Sequence, residues 1–193
     1  PPANVWGTVS YPVSQVIVDG AAAIDSNISG TSYLSGGLII SEDRMRQESA
    51  TQIIESGGFA SNTYLGPVTT SIINNGGVSD NVSIMGGWLQ TNAPLSPSAS
   101  VLFSATQIVS SGGILHTATL GSSGTLILNG GSADQITVGT GTVLQKTGTL
   151  SDVFVNRGGV LSVSTDQSAE NVVTSGGVII LDRNANLTGT FQE

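Results

Sequence analysis

Apolar and polar positions along the chain repeat with a period of about 18 residues, which is typical of repeat proteins. Stepping by this period from Gly112 reaches turn-forming residues in both directions, and a second set of turn residues lies between the members of the first. The first set is Gly58, Gly76, Pro94, Gly112, Gly130, Gly148, Asp166 and Asn184. The second set is Gly87, Ala105, Ser123, Gly141, Gly159 and Gly177.

The positions between the turns also match in type from one period to the next. One mostly aliphatic column contains Ile54, Ile72, Gln90, Ile108, Leu126, Leu144, Ser162 and Ile180. Another contains Tyr64, Val82, Ser100, Ala118, Ile136, Phe154, Val172 and Thr190. In an antiparallel sandwich, residues one period apart have no reason to match, whereas in a coil they stack directly on one another.

The pattern therefore predicts an all-β fold, a single-stranded parallel β-helix (β-solenoid) with rungs of about 18 residues. Right-handed coiling is the default for parallel crossovers. The small residue that follows each aliphatic corner of a left-handed hexapeptide helix is missing. We expect about ten rungs, a length of roughly 50 Å at the ~4.8 Å strand spacing, and a buried column in which Ile108 stacks on Leu126.

Three segments depart from the repeat. Residues 1–14 contain three of the six prolines and fit no rung, so we expect an N-terminal cap or leader before a solenoid over 15–193. Residues 41–50 carry the densest cluster of charges and predict a loop excursion. Residues 88–105 are one full period long, which favours a degenerate rung with Pro94 at its turn.

Composition excludes several classes of partner. The chain has 26 glycines, 9% charged residues, a net charge of −8 and no cysteine. An acidic chain with five Lys and Arg is unsuited to nucleic acid or to an anionic membrane surface. No apolar run is long enough for a membrane-spanning helix, so we expect no membrane insertion of this segment.

One polar column is the candidate interaction site. It contains Asp80, Ser98, His116, Asp134, Asp152, Glu170 and Thr188. Carboxylates stacked at one rung spacing repel by about 0.9 kcal/mol per pair in water, and five basic residues cannot pair them all in a core. The column is a solvated face, a binding ridge, or a catalytic or calcium site. We expect its side chains to point outward, with Asp80, His116, Asp134, Asp152 and Glu170 in the interaction face.

The residues give no sign of an enzyme. His116 is the only histidine, and without cysteine it cannot form a zinc site of ordinary composition. The Gly-Gly pairs are followed by neither a helix nor a lysine, so they do not form a phosphate-binding loop. We predict no catalytic residue, no metal and no cofactor.

The repeats resemble the strand-loop-strand repeats of AIDA-type autotransporter passengers. The resemblance lies in TQIIESGGFASNTYL, TQIVSSGGILHTATL and NVVTSGGVIIL, and extends over about residues 15–190. It implies a secreted, surface-exposed β-helix that mediates bacterial self-association, biofilm formation and adhesion as a virulence factor. It also implies O-linked heptoses on Ser or Thr. Several repeats lack the A-x-x-T element of that family, as in LSDVFV at Leu150.

The expected partners follow from this resemblance. They are a second copy of the protein on another cell, or a host-surface or glycan ligand. The expected location is the bacterial cell surface, after export through the outer membrane, and we expect the chain to be part of a longer protein. The competing hypothesis is a polysaccharide-binding or polysaccharide-degrading β-helix, such as a lyase, a hydrolase or a phage tailspike, with an acid/base pair of carboxylates on one face.

Overall fold

The computed structural model describes residues 4–5, 8–9, 14–17, 22–24, 27–28, 32–34, 45–47, 50–90 and 100–192. Every regular element in these residues is a strand. The strands are β1 Asn4–Val5, β2 Thr8–Val9, β3 Ser14–Ile17, β4 Ala22–Ile24, β5 Asn27–Ile28, β6 Ser32–Leu34, β7 Met45–Gln47, β8 Ala50–Ile54, β9 Phe59–Leu65, β10 Thr69–Ile73, β11 Val78–Ile84, β12 Gly87–Gln90, β13 Ser100–Phe103, β14 Ala105–Ser110, β15 Ile114–Leu120, β16 Gly124–Val138, β17 Thr142–Asn156, β18 Val160–Val163, β19 Ser168–Ser175, β20 Val178–Leu181 and β21 Asn186–Gln192.

Seventeen of these strands pair in parallel and form a β-solenoid, as predicted. One position of the coil can be followed through its Cα partners from strand to strand. The partners are Ser14, Thr51, Thr70, Thr106, Thr125, Thr142, Val160 and Val178. Eight stacked residues are separated by seven steps, so the solenoid has about seven turns, or roughly 34 Å of strand spacing. The expected ten rungs were too many.

Left-handed residues divide each rung into three sides. The first corner is formed by Gly57, Gly76, Gly112, Gly130, Gly148, Asp166 and Asn184. The second is formed by Asn62, Asn81, Thr117, Gln135, Asp152 and Asn171. The third contains Val68, Ser123, Gly158 and Gly176. The first corner confirms the Gly, Asp and Asn members of the first predicted set of turns, with one exception: Gly57, not Gly58, is left-handed. Pro94 lies outside the described residues.

We call the sides after their order in the rung. In the rung of β8 and β9, the first side is residues 50–54, the second is 59–61 and the third is 63–65. Inward and outward side chains alternate along each side, but residues 61 and 62 both point outward because the left-handed Asn62 interrupts the pleat. The later rungs repeat this plan, and the two long strands β16 and β17 run through all three sides.

The buried core is a set of inward columns along the solenoid axis. On the first side, one such column contains Ile54, Ile73, Val109 and Leu128. A neighbouring column contains Gln52, Ser71, Gln107 and Leu126, and within it the Ser71 hydroxyl donates to Gln52 Oε1 at 3.0 Å. The glutamine of the TQI motif is therefore a core residue.

The predicted stacking of Ile108 on Leu126 is wrong by one residue. Ile108 pairs with Ile127, and Leu126 pairs with Gln107. The rung from Thr106 to Thr125 is one residue longer than the mean period and the next, from Thr125 to Thr142, is one residue shorter, so the two together still span two periods. Because a slip of one residue exchanges the two faces of a strand, Ile108 points outward and Leu126 inward.

The predicted degenerate rung at 88–105 is also wrong. Strand β10 pairs directly with β14, so Ile72 lies on Ile108 although two periods of sequence separate them. After β11, which stays in the coil, the chain leaves it in an antiparallel hairpin in which β12 pairs with β13. Because the excursion is as long as one rung, it preserved the period in the sequence.

A second antiparallel hairpin, β6 with β7, leaves the coil on the N-terminal side of this one. Ile17 pairs with Ile54 and Ile28 with Leu65, so the solenoid bypasses the chain between residues 28 and 50. Of the excursion expected at 41–50, residues 45–47 are in β7 and residue 50 begins β8 of the coil, while residues 41–44, 48 and 49 lie outside the described residues. Both hairpins leave from the third corner.

Parallel pairing extends into residues 1–14. Asn4 and Val5 pair with Ala22 and Ala23, and Thr8 and Val9 pair with Asn27 and Ile28. Part of this segment therefore lies on the rung that follows it. Its role as a cap or leader stays a prediction.

Candidate functional site

Four of the five predicted site residues lie in one outward column of the second side. Strand pairing places Asp80 on His116, His116 on Asp134, and Glu170 further along the same column. After Ile24, which pairs with Ser61, six polar residues follow one another in this column: Ser61, Asp80, His116, Asp134, Ser151 and Glu170. All six side chains are exposed or half-buried, as expected for carboxylates that have no buried cation to pair with.

Asp152 does not belong to this column. Asp134 pairs with Ser151, because the rung between them is one residue shorter than the mean period. Asp152 consequently lies at the second corner, where it is exposed and left-handed with a φ of 53°. The column therefore has a serine where a further carboxylate was expected, which reduces the repulsion along it. Ser98 lies outside the described residues.

A side-chain contact within the column joins His116 and Asp134. The Nδ1 atom of His116 lies 2.5 Å from Oδ1 of Asp134, and the two side chains are 49% and 29% exposed. At this exposure, water screens the pair, so its contribution to stability is at most about 1 kcal/mol. The pair orients two polar groups on adjacent rungs without holding the fold together.

The second corner carries a polar ladder beside this column. Asn81 Nδ2 donates to Asn62 Oδ1 at 2.7 Å, and Asn171 Nδ2 donates to Asp152 Oδ1 at 3.1 Å. The backbone amide of Asn171 also donates to the hydroxyl of Thr188 at 3.3 Å. We call the column and the ladder together the polar ridge. It presents carboxylates, amides and hydroxyls at successive steps of about 4.8 Å.

The corner ladder was missed from the sequence, although it leaves a signal there. In most rungs a left-handed residue lies five positions after the left-handed residue of the first corner, as Asn62 follows Gly57 and Asn81 follows Gly76, whereas Asp152 lies four positions after Gly148. Asn and Asp tolerate this conformation better than other residues with a side chain. The signal is weak because Thr117 and Gln135 occupy the same corner.

A column of hydroxyl and aromatic groups runs along the outer face of the third side. It contains Tyr64, Ser83, Thr119, Thr137, Phe154, Val173 and Thr190. Tyr64 is 37% and Phe154 40% exposed, so two aromatic faces are available to a ligand. The sequence placed Tyr64 and Phe154 in one column with Val82 and Ile136, but these two belong to the inward column next to it.

The stacked glycines of the first corner leave a shallow concavity on the surface. Its lining consists of Gly112, Gly113, Ile114, Gly130, Gly131, Ser132, Gly148 and Thr149. No carboxylate or aromatic ring is in this lining. Among the described residues there is no cluster of three His, Cys, Asp or Glu side chains that could hold a metal ion, and no helix with the length and apolarity to cross a membrane.

Comparison with known proteins shows a likeness in structure. No protein-family model and no curated protein matches the chain. Among solved structures, the chain is similar to the TibC-catalysed, hyper-glycosylated fragment 55–350 of TibA, with a TM-score of 0.60. The two chains share a fold. The likeness covers 94% of this chain and 69% of the TibA fragment at 22% sequence identity, so it confirms the predicted β-solenoid.

Proposed function

We propose that this chain is an adhesin module, a part of an autotransporter passenger that is exported to the bacterial cell surface. Its structural neighbour, the TibA fragment, is an autotransporter adhesin passenger. The AIDA-type resemblance of the repeats points independently to the same class. We assign three activities to this chain: self-association between cells, biofilm formation, and attachment to a host surface or glycan.

The observation that carries this proposal is the continuous lateral surface of the solenoid. Among the described strands of the coil, edges are open only at its two ends, so contacts along the sides of the coil come from side chains. The polar ridge repeats carboxylate, amide and hydroxyl groups rung after rung. Weak contacts repeated along a rod, and between many rods on two cells, add up through multivalency.

We assign attachment to the polar ridge, with Asp80, His116, Asp134, Asp152 and Glu170 as its ionisable members. An acidic ridge favours ligands that offer basic, amide or hydroxyl groups and repels anionic surfaces. The TibA fragment is glycosylated by TibC, which supports the proposal that hydroxyls on this rod also accept sugars. Thr119 of the third side is exposed and available for such a modification.

The competing assignment, cleavage of a polysaccharide, needs two carboxyl groups on opposite sides of a scissile bond. The carboxylates of the ridge instead follow one another along a line on a convex corner. Carboxylates in such a line suit repeated contact with a ligand better than acid/base catalysis.

Displaying the chain on a non-aggregating bacterial host tests the proposed function. We expect cells carrying it to settle faster or to attach to a glycan-coated or host-cell surface. The double variant Asp134→Asn/Asp152→Asn should change the extent of attachment or its dependence on salt, while the melting temperature stays within about 3 °C, because both carboxylates are on the surface.

The variant Asp166→Asn/Asp182→Asn is the matched control, since it removes the same charge at a distance from the ridge. It should behave like the parent chain. Cells that neither settle nor attach while displaying the folded chain would contradict the proposed function. If the ridge variant instead lost several kcal/mol of unfolding free energy, the ridge carboxylates would have a role in stabilising the fold and not in attachment.

A further inference from the structure

The outer face of the first side carries an aliphatic stripe. Outward residues that pair in register along it are Ile53, Ile72, Ile108, Ile127 and Leu144. Val16, which is 52% exposed, extends the stripe at the N-terminal end. At the other end Leu144 is followed by Ser162 and then by Ile180, which is 48% exposed. The five central residues are half-buried by their neighbours above and below. An outward aliphatic stripe of this length, half-buried at its centre and exposed at its ends, is unusual for a surface that faces only water.

A column of mostly β-branched residues runs beside the stripe. It contains Ser14, Thr51, Thr70, Thr106, Thr125, Thr142, Val160 and Val178. Neither column has an ionisable residue. The chain carries a net charge of −8, and carboxylates lie on the polar ridge and at the corners, as Asp152 and Asp166 do. When two copies meet through these two columns, no carboxylate of one copy therefore faces a carboxylate of the other within the columns.

We propose that the first side is the self-association surface, on which a second copy of this chain packs face to face. This inference rests on the proposed adhesin function and names the surface through which one rod binds another. A two-fold axis near β14 and β16, at the middle of the stripe, would place each stripe against the other in the manner of two stacked sheets about 10 Å apart. The rung spacing of the partner matches because the partner is identical.

The size of the face is sufficient for such a contact. A side of five residues is roughly 16 Å wide, and seven steps of strand spacing are roughly 34 Å long. Each copy thus offers about 550 Å² of flat area, or about 1,100 Å² for the pair, which passes the roughly 1,000 Å² expected of a specific interface. The methyl groups of isoleucine and threonine can interdigitate there.

Sedimentation velocity over a range of protein and salt concentrations tests this inference. We expect a reversible dimer that tightens as salt increases, because salt screens the repulsion between two acidic rods while the contact itself is apolar. The variant Ile108→Asn/Ile127→Asn, which leaves the net charge unchanged, should weaken the dimer at least tenfold. The matched control Thr119→Asn/Thr137→Asn lies on the third side of the same rungs and should leave it unchanged.

A second measurement covers the case in which the isoleucine variant does not fold. The chain has no cysteine, so Thr125→Cys introduces a single thiol near the proposed axis. It should form a disulfide-linked dimer in mild oxidant much faster than Thr137→Cys on the third side. A chain that remains monomeric at high concentration, an isoleucine variant that dimerises as well as the parent, or equal oxidation rates of the two cysteine variants would each overturn the inference. Settling of displayed cells could persist in all three cases, since attachment through the ridge is a separate claim.

Discussion

Leu128→Asp is expected to unfold the chain, whereas Ile127→Asp, one residue earlier, is expected to leave it folded. Leu128 is fully buried in the inward column of the first side, and Ile127 is in the outward stripe. Removing the leucine costs about 2–5 kcal/mol, and an unpaired buried carboxylate adds several kcal/mol more. This sum approaches the whole stability of an ordinary domain, which is about 5–15 kcal/mol.

The outward substitution has a much smaller cost. The carboxylate of Ile127→Asp would face water, and the weak strand propensity of aspartate costs about 1 kcal/mol. Circular dichroism and thermal unfolding of both purified variants measure the difference. If Ile127→Asp proved as damaging as Leu128→Asp, the assignment of inward and outward faces on the first side would be wrong.

Gly159→Asn is expected to lower the free energy of unfolding by about 3 kcal/mol, because overpacking there meets main chain that cannot move away. A Cβ atom at Gly159 would lie 2.6 Å from the carbonyl oxygen of Val138 on the preceding rung. Its neighbour Gly158 is left-handed with a φ of 89°, and a Cβ atom there would meet the Thr140 side chain no closer than 3.3 Å.

The same substitution at Gly158 is therefore the matched control. Asparagine tolerates the left-handed conformation, so Gly158→Asn should change the free energy of unfolding by no more than about 1 kcal/mol. Chemical denaturation of the two variants provides both values. Equal losses of unfolding free energy in the two variants would show that the close approach of adjacent rungs does not require a glycine at position 159.

The repeat period was sufficient to predict the solenoid and its first set of corners. Gly112, Gly130 and Gly148 recur once per period and are left-handed, because a sharp corner needs residues that accept a positive φ. Like residues match between rungs since each column has a single environment along the coil. The fold class therefore followed from periodicity alone.

The exact stacking could not be predicted, because compensating changes in length preserve the mean period. A long rung followed by a short one shifts Leu126 out of its expected column, and a short rung followed by a long one does the same to Asp152, yet the period returns to phase. A hairpin excursion as long as a rung hides in the same way. Only the pairing of strands reveals which residues are neighbours.

The outward position of the polar column was predicted more accurately than the faces around it. Charge alone placed Asp80, His116, Asp134 and Glu170 on the surface, since burial of so many unpaired carboxylates is prohibitive. Aliphatic residues carry no such constraint. Ile108 and Leu126 look equivalent in the sequence, although one faces outward and the other lies in the core.

Contacts between isoleucine methyl groups test the central claim, that the rungs on either side of the excursion formed by β12 and β13 are direct neighbours. In the chain with labelled isoleucine δ1 methyls, we expect nuclear Overhauser effects that join Ile53 to Ile72, Ile72 to Ile108, and Ile108 to Ile127 in an unbroken series. A rung formed by residues 88–105 would instead separate Ile72 from Ile108 by two steps, about 9.6 Å. A folded chain in which the contact between Ile72 and Ile108 is missing would contradict the claim.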